Sequence, residues 1–380
     1  MVAHRKVTDR RGEILKIQGL GLISAEGCFA AAALGIAMGM GAAVSLAQAP
    51  AGPKPAVVGQ PPDYVSAPSP APTGPVDPFP QTNPKFFTAA SPTTQTVGAF
   101  LHQVWGYDDN RMWKVMAIQS TPAPGVSKVT VFVTDKTPNA QVQSMDFFIT
   151  PDGKHAIGAG AGVVPFGAKP FEEARNILRE RANGASRGGA SKDFELVEFA
   201  DLQCPHCKEA QGTMDQIVKD FPKAHVVFQM FPLVDVHSSA FKAAAYGVCA
   251  QKQSDEAFFK YAAAVFDTQE ALSPTTDDTV LRGAAMRAGL DGGAIAACSE
   301  TIATKEVVAA DIKLAQDVDV EQTPTLMVNG RPLPVTSDIP YETLKKIIQY
   351  QATLDGVDSG ATAETLAPKP EQPKLETLPK

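Results

Sequence analysis

Apolar residues along the chain change their spacing at a few sharp boundaries. Across residues 97–167 they come in short, alternating runs at 114–119, 129–134 and 145–150, rich in Val, Ile, Phe and Thr. Pro122-Ala123-Pro124-Gly125, Thr137-Pro138-Asn139 and Pro151-Asp152-Gly153 separate those runs with turn chemistry, so the stretch reads as a small β-rich domain. Trp105, Trp113, Phe147 and Phe148 give it apolar bulk. Roughly 70 residues make a marginal core, which predicts packing on a neighbour or on a second copy.

From residue 168 the period lengthens. Phe171, Ala174, Ile177 and Leu178 fall on one helical face, giving a linker helix over 168–185, followed by a Gly/Ser loop at 184–191 that marks a boundary. Residues 194–199 read as a strand. A helix then runs to Phe221, with Met214, Ile217, Val218 and Phe221 at spacings of three and four, and 226–231 is a second strand. Helical patches at 241–251, 256–266, 279–288 and 305–316 fill an insert of about 235–318. A last strand enters through Thr323-Pro324-Thr325, a candidate cis-proline, and closes at the Asn329-Gly330 turn.

Both ends lack such periodicity. Thirteen of the 31 prolines fall between Pro50 and Pro92, and residues 50–96 read as an extended, largely disordered linker. The tail 356–380, with Pro368, Pro370, Pro373 and Pro379, reads the same way. Residues 1–19 are basic, 28–47 carry no charge, and Ala47-Gln48-Ala49 offers the small-x-small pattern of a cleavage site. Residues 1–49 are therefore a signal peptide, or, uncleaved, a membrane anchor over 28–47. Either way, the folded part is expected outside the cytoplasm, in the periplasm or an equivalent compartment. Hydrophobic content of 44% excludes both a multi-spanning membrane protein and a wholly disordered chain. A net charge of −7 gives no electrostatic case for nucleic acid as a partner.

Of five cysteines, Cys28 would leave with the signal. Cys204 and Cys207 lie in Cys204-Pro205-His206-Cys207, between a strand and a helix. That setting reads as a redox centre, because a zinc site would want a second CxxC or paired histidines; no metal and no cofactor is expected. A cysteine at a helix start meets unpaired N–H groups and the positive end of the helix dipole, which favour its thiolate. Pro205 suits the first turn, where its missing N–H costs nothing. His206 adds a donor, and part of the time a charge, beside the sulfur. Cys207, one turn inward, is the expected resolving thiol. A stabilised Cys204 thiolate leaves readily, which makes the disulfide oxidising.

Glu198 lies six residues before Cys204, on the strand face shared with Phe194 and Leu196. A solvated edge carboxylate is the plain alternative, but a strand leading into a CxxC is ordinarily covered on both faces. Buried there, the carboxyl would have a raised pKa and would relay the proton of Cys207. Cys249 and Cys298 fall in two separate helical patches. In an oxidising compartment they are expected to pair as a structural disulfide worth roughly 4 kcal/mol, with free thiols or a second redox pair as alternatives.

The Phe-x-Asp-x-x-Cys-Pro-His-Cys run of 199–207, the helical insert and the Thr-Pro-Thr-x-x-Val-Asn-Gly run of 323–330 resemble DsbA-like thioredoxin-fold thiol:disulfide oxidoreductases over about 186–355. The resemblance implies an α/β thioredoxin fold carrying an inserted helical subdomain, here preceded by a small α+β unit. It implies that Pro324 is cis, faces the CxxC and holds the substrate peptide together with Thr323, and that the insert caps the site. Glu198 falls where that family keeps its buried acid. The expected partners are reduced or unfolded secreted proteins and a membrane redox partner that resets the CxxC. The added β-rich domain resembles in architecture the DsbC- and DsbG-like isomerases, which implies a homodimer through 97–167. A reduced isomerase or reductase, and a non-enzymatic metal or folding chaperone, stand as alternatives to an oxidase.

Overall fold

The computed structural model of the chain describes residues 77–158 and 162–361. The expected signal or anchor, Cys28, the proline-rich residues 50–76 and the tail from 362 lie outside the described residues. Among the described residues, no helix is long and apolar enough to cross a membrane.

The first unit opens with helix α1 (Thr94–Trp105) and continues as five strands. These are β1 (Arg111–Ser120), β2 (Ser127–Asp135), β3 (Gln143–Ile149), β4 (His155–Gly158) and β5 (Gly162–Pro165), paired in sequence order as an antiparallel meander. The first two expected strands fall within β1 and β2, and the third overruns the end of β3 by one residue. Helix α1 went unread, although its signal is present: Val97, Phe100, Leu101 and Trp105 are all buried, at helical spacing. Thr93 caps it, accepting from the Thr96 N–H at 3.0 Å. These side chains and Val129, Val131, Phe147 and Ile149 form one core.

Residues 77–93 correct the expectation that everything from 50 to 96 is a loose linker. Phe79 is buried, Asp77 pairs with Lys114 at 2.7 Å, and Phe87 bridges Ile118 of β1. Proline suppresses helical and strand periodicity without preventing packing, and the aromatic residues of this segment anchor it to the first sheet.

Helix α2 (Glu172–Arg181) leads into the second sheet, built from β6 (Ala185–Gly188), β7 (Glu195–Ala200), β8 (His225–Met230), β9 (Thr325–Val328) and β10 (Arg331–Pro334). Their order is β10-β9-β7-β8-β6, with β7 and β8 parallel and the other pairs antiparallel. Strand β6 replaces the expected Gly/Ser loop. Its flanking glycines serve close approach: a Cβ on Gly184 would lie 2.0 Å from the Phe228 carbonyl oxygen, and one on Gly188, at φ +86°, 2.4 Å from that of Ala224.

Every residue of β7 is buried, as a central strand covered on both faces requires. Leu196 packs with Met214, Ile217 and Ile348 of α3 (Pro205–Asp220) and α9 (Tyr341–Leu354). On the other face, Val197 and Phe199 pack with Leu178 of α2 and with Leu314 and Ala315 of α8 (Ile302–Asp317). The insert comprises α4 (Ala240–Gln251), α5 (Asp255–Thr268), α6 (Asp277–Arg287), α7 (Gly292–Ser299) and α8. A disulfide between Cys249 and Cys298 ties α4 to α7.

The two units meet at Arg331. Its guanidinium is buried and donates to the carbonyls of Gln103 and Val104 at 2.9 and 2.8 Å, at the C-terminal end of α1. It also lies over the rings of Tyr107 and Phe171. The last carbonyls of a helix lack intrahelical donors, and the guanidinium supplies them.

Candidate active site

Parallel pairing of β7 with β8 puts the end of β7 at the middle of one sheet edge, where the chain turns into α3. Cys204 is the N-cap of α3 and Pro205 its first residue. Both Cys204 and Cys207 are free and buried.

The two thiols move in opposite directions. Cys204 is pulled down to about 5, first by the hydrogen bond from the Cys207 thiol, against desolvation. Thr323 and then the backbone N–H groups of Cys207 and His206 add to this. Cys207 is pushed well up, first by burial and then by the neighbouring Cys204 sulfur. The N–H groups of the helix start thus rank behind the second thiol. The His206 imidazole does not sit at the sulfur: it is exposed and meets Glu209 at 3.1 Å. What His206 offers Cys204 is its backbone N–H.

Opposite the thiols, the Thr323–Pro324 peptide bond is cis and Pro324 is buried. The Cys204 thiol, when protonated, donates to the Thr323 carbonyl at 3.7 Å. The Thr323 hydroxyl is buried with no partner of hydrogen-bond geometry among the described residues. It pulls both cysteines down.

Glu198 lies under the site, 1% exposed, its pKa raised to about 7 by burial. Gln211 Nε2 donates to Glu198 Oε1 at 2.8 Å and to the Cys207 carbonyl at 3.0 Å. Gln211 was not foreseen, although its place one turn after Cys207 puts it on the same helical face.

Asp201 was also missed as a site residue. Its carboxylate is buried; Oδ1 accepts from the Gln203 N–H at 2.7 Å, and Oδ2 from the Leu233 N–H at 2.9 Å and His237 Nδ1 at 2.8 Å. Its own N–H donates to Cys207 Sγ at 3.4 Å. The insert closes over this loop from above, where Gln269 Nε2 donates to the carbonyls of Leu202 and Cys204, both at 3.2 Å. Cys249 and Cys298, bonded to each other in the insert, take no part in this constellation.

Residues 182–350 match the family model described as Thioredoxin. Among curated relatives, the Na(+)/H(+) antiporter NhaA 3 of Salinispora tropica is 31% identical over 151 residues, 38% of this chain and 21% of that protein. NhaA 1 of Mycolicibacterium vanbaalenii is 31% identical over 147 residues, 38% of this chain and 23% of that one. The chain thus spans between a fifth and a quarter of the length of these relatives. Similar solved structures include Proteus mirabilis ScsC in a transitional conformation, at 18% identity and TM-score 0.40, covering 48% of this chain and 80% of that one. Oxidised BdbD from Bacillus subtilis has 19% identity and TM-score 0.39, covering 45% and 93%. Chlamydia trachomatis DsbA has 15% identity and TM-score 0.39, covering 46% and 92%. A parallel β7–β8 pair and a CxxC opening α3 agree with the family match over 182–350: this part of the chain has a thioredoxin-like fold.

Proposed function

We propose that the protein is an extracytoplasmic thiol:disulfide oxidoreductase that passes the Cys204–Cys207 disulfide to protein thiols. A substrate thiolate attacks Cys204 Sγ, the Cys204–Cys207 bond breaks, and its electron pair leaves on Cys207. The substrate's second thiolate then attacks the substrate sulfur of the mixed disulfide and expels the Cys204 thiolate. The substrate is oxidised by two electrons and the CxxC is reduced. Glu198 protonates Cys207 across the short reach that Gln211 spans, and Thr323 and Pro324 hold the substrate backbone opposite Cys204. Pro205 sets the helix start. His206 contributes its main chain, its ring facing incoming protein.

The observation that carries this reading is the opposed pair of sulfurs: one held low, poised to leave, and one held high, poised to keep a proton. Reduced secreted proteins are the substrates, and a membrane partner reoxidises the CxxC. The expected signal segment supports an extracytoplasmic site.

A second reading, a dimeric isomerase or reductase, draws on one feature of the first unit. Phe148, Ile157 and Val163 are direct cross-strand neighbours on β3, β4 and β5 and stay 40, 42 and 62% exposed, beside a sheet edge formed by β5. Such a stripe suits a second copy.

The deciding experiment measures the Cys204–Cys207 reduction potential, disulfide transfer to a reduced protein, and molecular mass in solution. An oxidase gives a potential well above that of thioredoxin, with transfer. A strongly reducing pair in a dimer moves the assignment to the isomerase. Stoichiometric Cu(I) or Zn(II) capture without transfer moves it to a chaperone.

A further inference from the structure

We infer that Asp201 and His237 are a positioning pair that aims a backbone N–H at the sulfur of Cys207 as that sulfur leaves. The role presupposes the disulfide transfer proposed above.

Asp201 follows the last residue of β7 and holds both cysteines by its main chain. Its carbonyl accepts from the Cys204 N–H at 3.1 Å, and its N–H donates to Cys207 Sγ at 3.4 Å. Its side chain, fully buried, grips a different part of the fold. Leu233 and His237, which supply two of its three hydrogen bonds, belong to the segment between β8 and α4. A buried carboxylate is tolerated only where donors meet it, so this residue has little freedom to turn. A carboxylate only accepts, which fixes His237 with its proton on Nδ1. The backbone N–H of His237 donates to the Leu233 carbonyl at 2.8 Å, closing the segment on itself.

That rigidity matters at one moment of the reaction. When a thiolate attacks Cys204 Sγ, a sulfur–sulfur bond forms to Cys204, the Cys204–Cys207 bond breaks, and negative charge appears on Cys207. Cys207 is 0% exposed, so water cannot solvate this charge, and the Asp201 N–H already points at it. A donor aimed at charge that develops in the transition state lowers the barrier more than it stabilises the resting state. Loss of the His237 bond leaves Asp201 Oδ2 held by the Leu233 N–H alone, which loosens the carboxylate and lets the N–H drift from the sulfur. The fold keeps a parallel tie between the same segments, because Gln203 Oε1 accepts from the Ser239 N–H at 2.8 Å.

The test uses the full chain with its disulfide formed and reduced glutathione as the attacking thiol. Asn places an amide N–H near the position of imidazole Nδ1, so His237→Asn should keep the bond and His237→Ala should lose it. His237→Ala is expected to slow attack on Cys204 about tenfold, less than the roughly 10²–10³-fold lost when such a donor is removed outright, because here the N–H is displaced and not deleted. The Cys204 thiolate titration in the reduced protein should stay where it is, and His237→Asn should recover most of the rate. Asp201→Asn should behave like His237→Ala. Wild-type rates in His237→Ala, equal loss in His237→Asn, or a rate loss that follows a shifted Cys204 titration would each overturn the pairing. Failure of the wild-type protein to accept thiol attack at all would instead overturn the disulfide-transfer reading.

Discussion

Gln211 joins Glu198 to Cys207: one side-chain amide donates to the buried carboxyl at 2.8 Å and to the Cys207 carbonyl at 3.0 Å. The acid is thereby fixed to the turn of α3 that carries Cys207.

Burial raises Glu198 from its ordinary 4.5 to about 7. The folded protein therefore holds a proton there that the unfolded chain releases, so this contribution to stability is complete below about pH 4.5. It is lost as pH rises through about 7, a loss on the order of 3 kcal/mol. Glu198→Gln should remove that slope and raise the urea midpoint above pH 7 while slowing disulfide transfer. An unchanged slope in the variant would show that Glu198 titrates normally.

Cys204 should behave as a thiolate over most of the accessible pH range. Alkylation of the reduced protein should follow a titration with midpoint near 5. Cys207→Ser should accumulate mixed disulfides on Cys204, and Cys204→Ser should form none. A midpoint above 8, the range of an ordinary thiol, would contradict the environment described for this sulfur.

Removing the Cys249–Cys298 disulfide should cost about 4 kcal/mol, because the bond closes a long loop within the insert. The Cys249→Ala/Cys298→Ala double variant should melt lower yet keep its CxxC reactivity, since the side-chain hydrogen bonds of these cysteines go to Thr304 and Lys252 and not to Cys204 or Cys207. Differential scanning calorimetry with a parallel alkylation assay separates the two effects.

Arg331→Met should destabilise the protein by roughly 2–4 kcal/mol, because two half-buried carbonyls at the end of α1 lose their donor. Arg331→Lys should recover little, as an ammonium cannot serve both carbonyls in the planar fork geometry. Urea unfolding followed by tryptophan fluorescence reports on this junction, since Trp105 ends α1.

Chemistry that is local along the chain was legible in the sequence. The CPHC stands at a helix start, and strand parity places Glu198 on the correct face, because both depend on residues within one element. The edge strand β6 was hidden, since glycines needed for close approach look like glycines of a loop. Asp201, Gln211 and Arg331 escaped because their partners arrive from elsewhere: His237 from beyond β8, Glu198 from the neighbouring strand, and the carbonyls of Gln103 and Val104 from the other unit. Helix α1 escaped for a different reason. Its apolar spacing was present, but a boundary drawn between 96 and 97 split it between the proline-rich linker and the β-rich stretch.

Arg331 also stands at the far end of the hairpin that begins at Thr323. Between the residue that faces Cys204 and the residue held by α1 lie the four residues of β9 and a tight Asn329-Gly330 turn, locked into the sheet by their ladder to β7. The first unit is thus joined, through one short strand and its turn, to the loop opposite Cys204. Because β9 is laddered to β7, whatever holds α1 also holds the strand that follows Pro324.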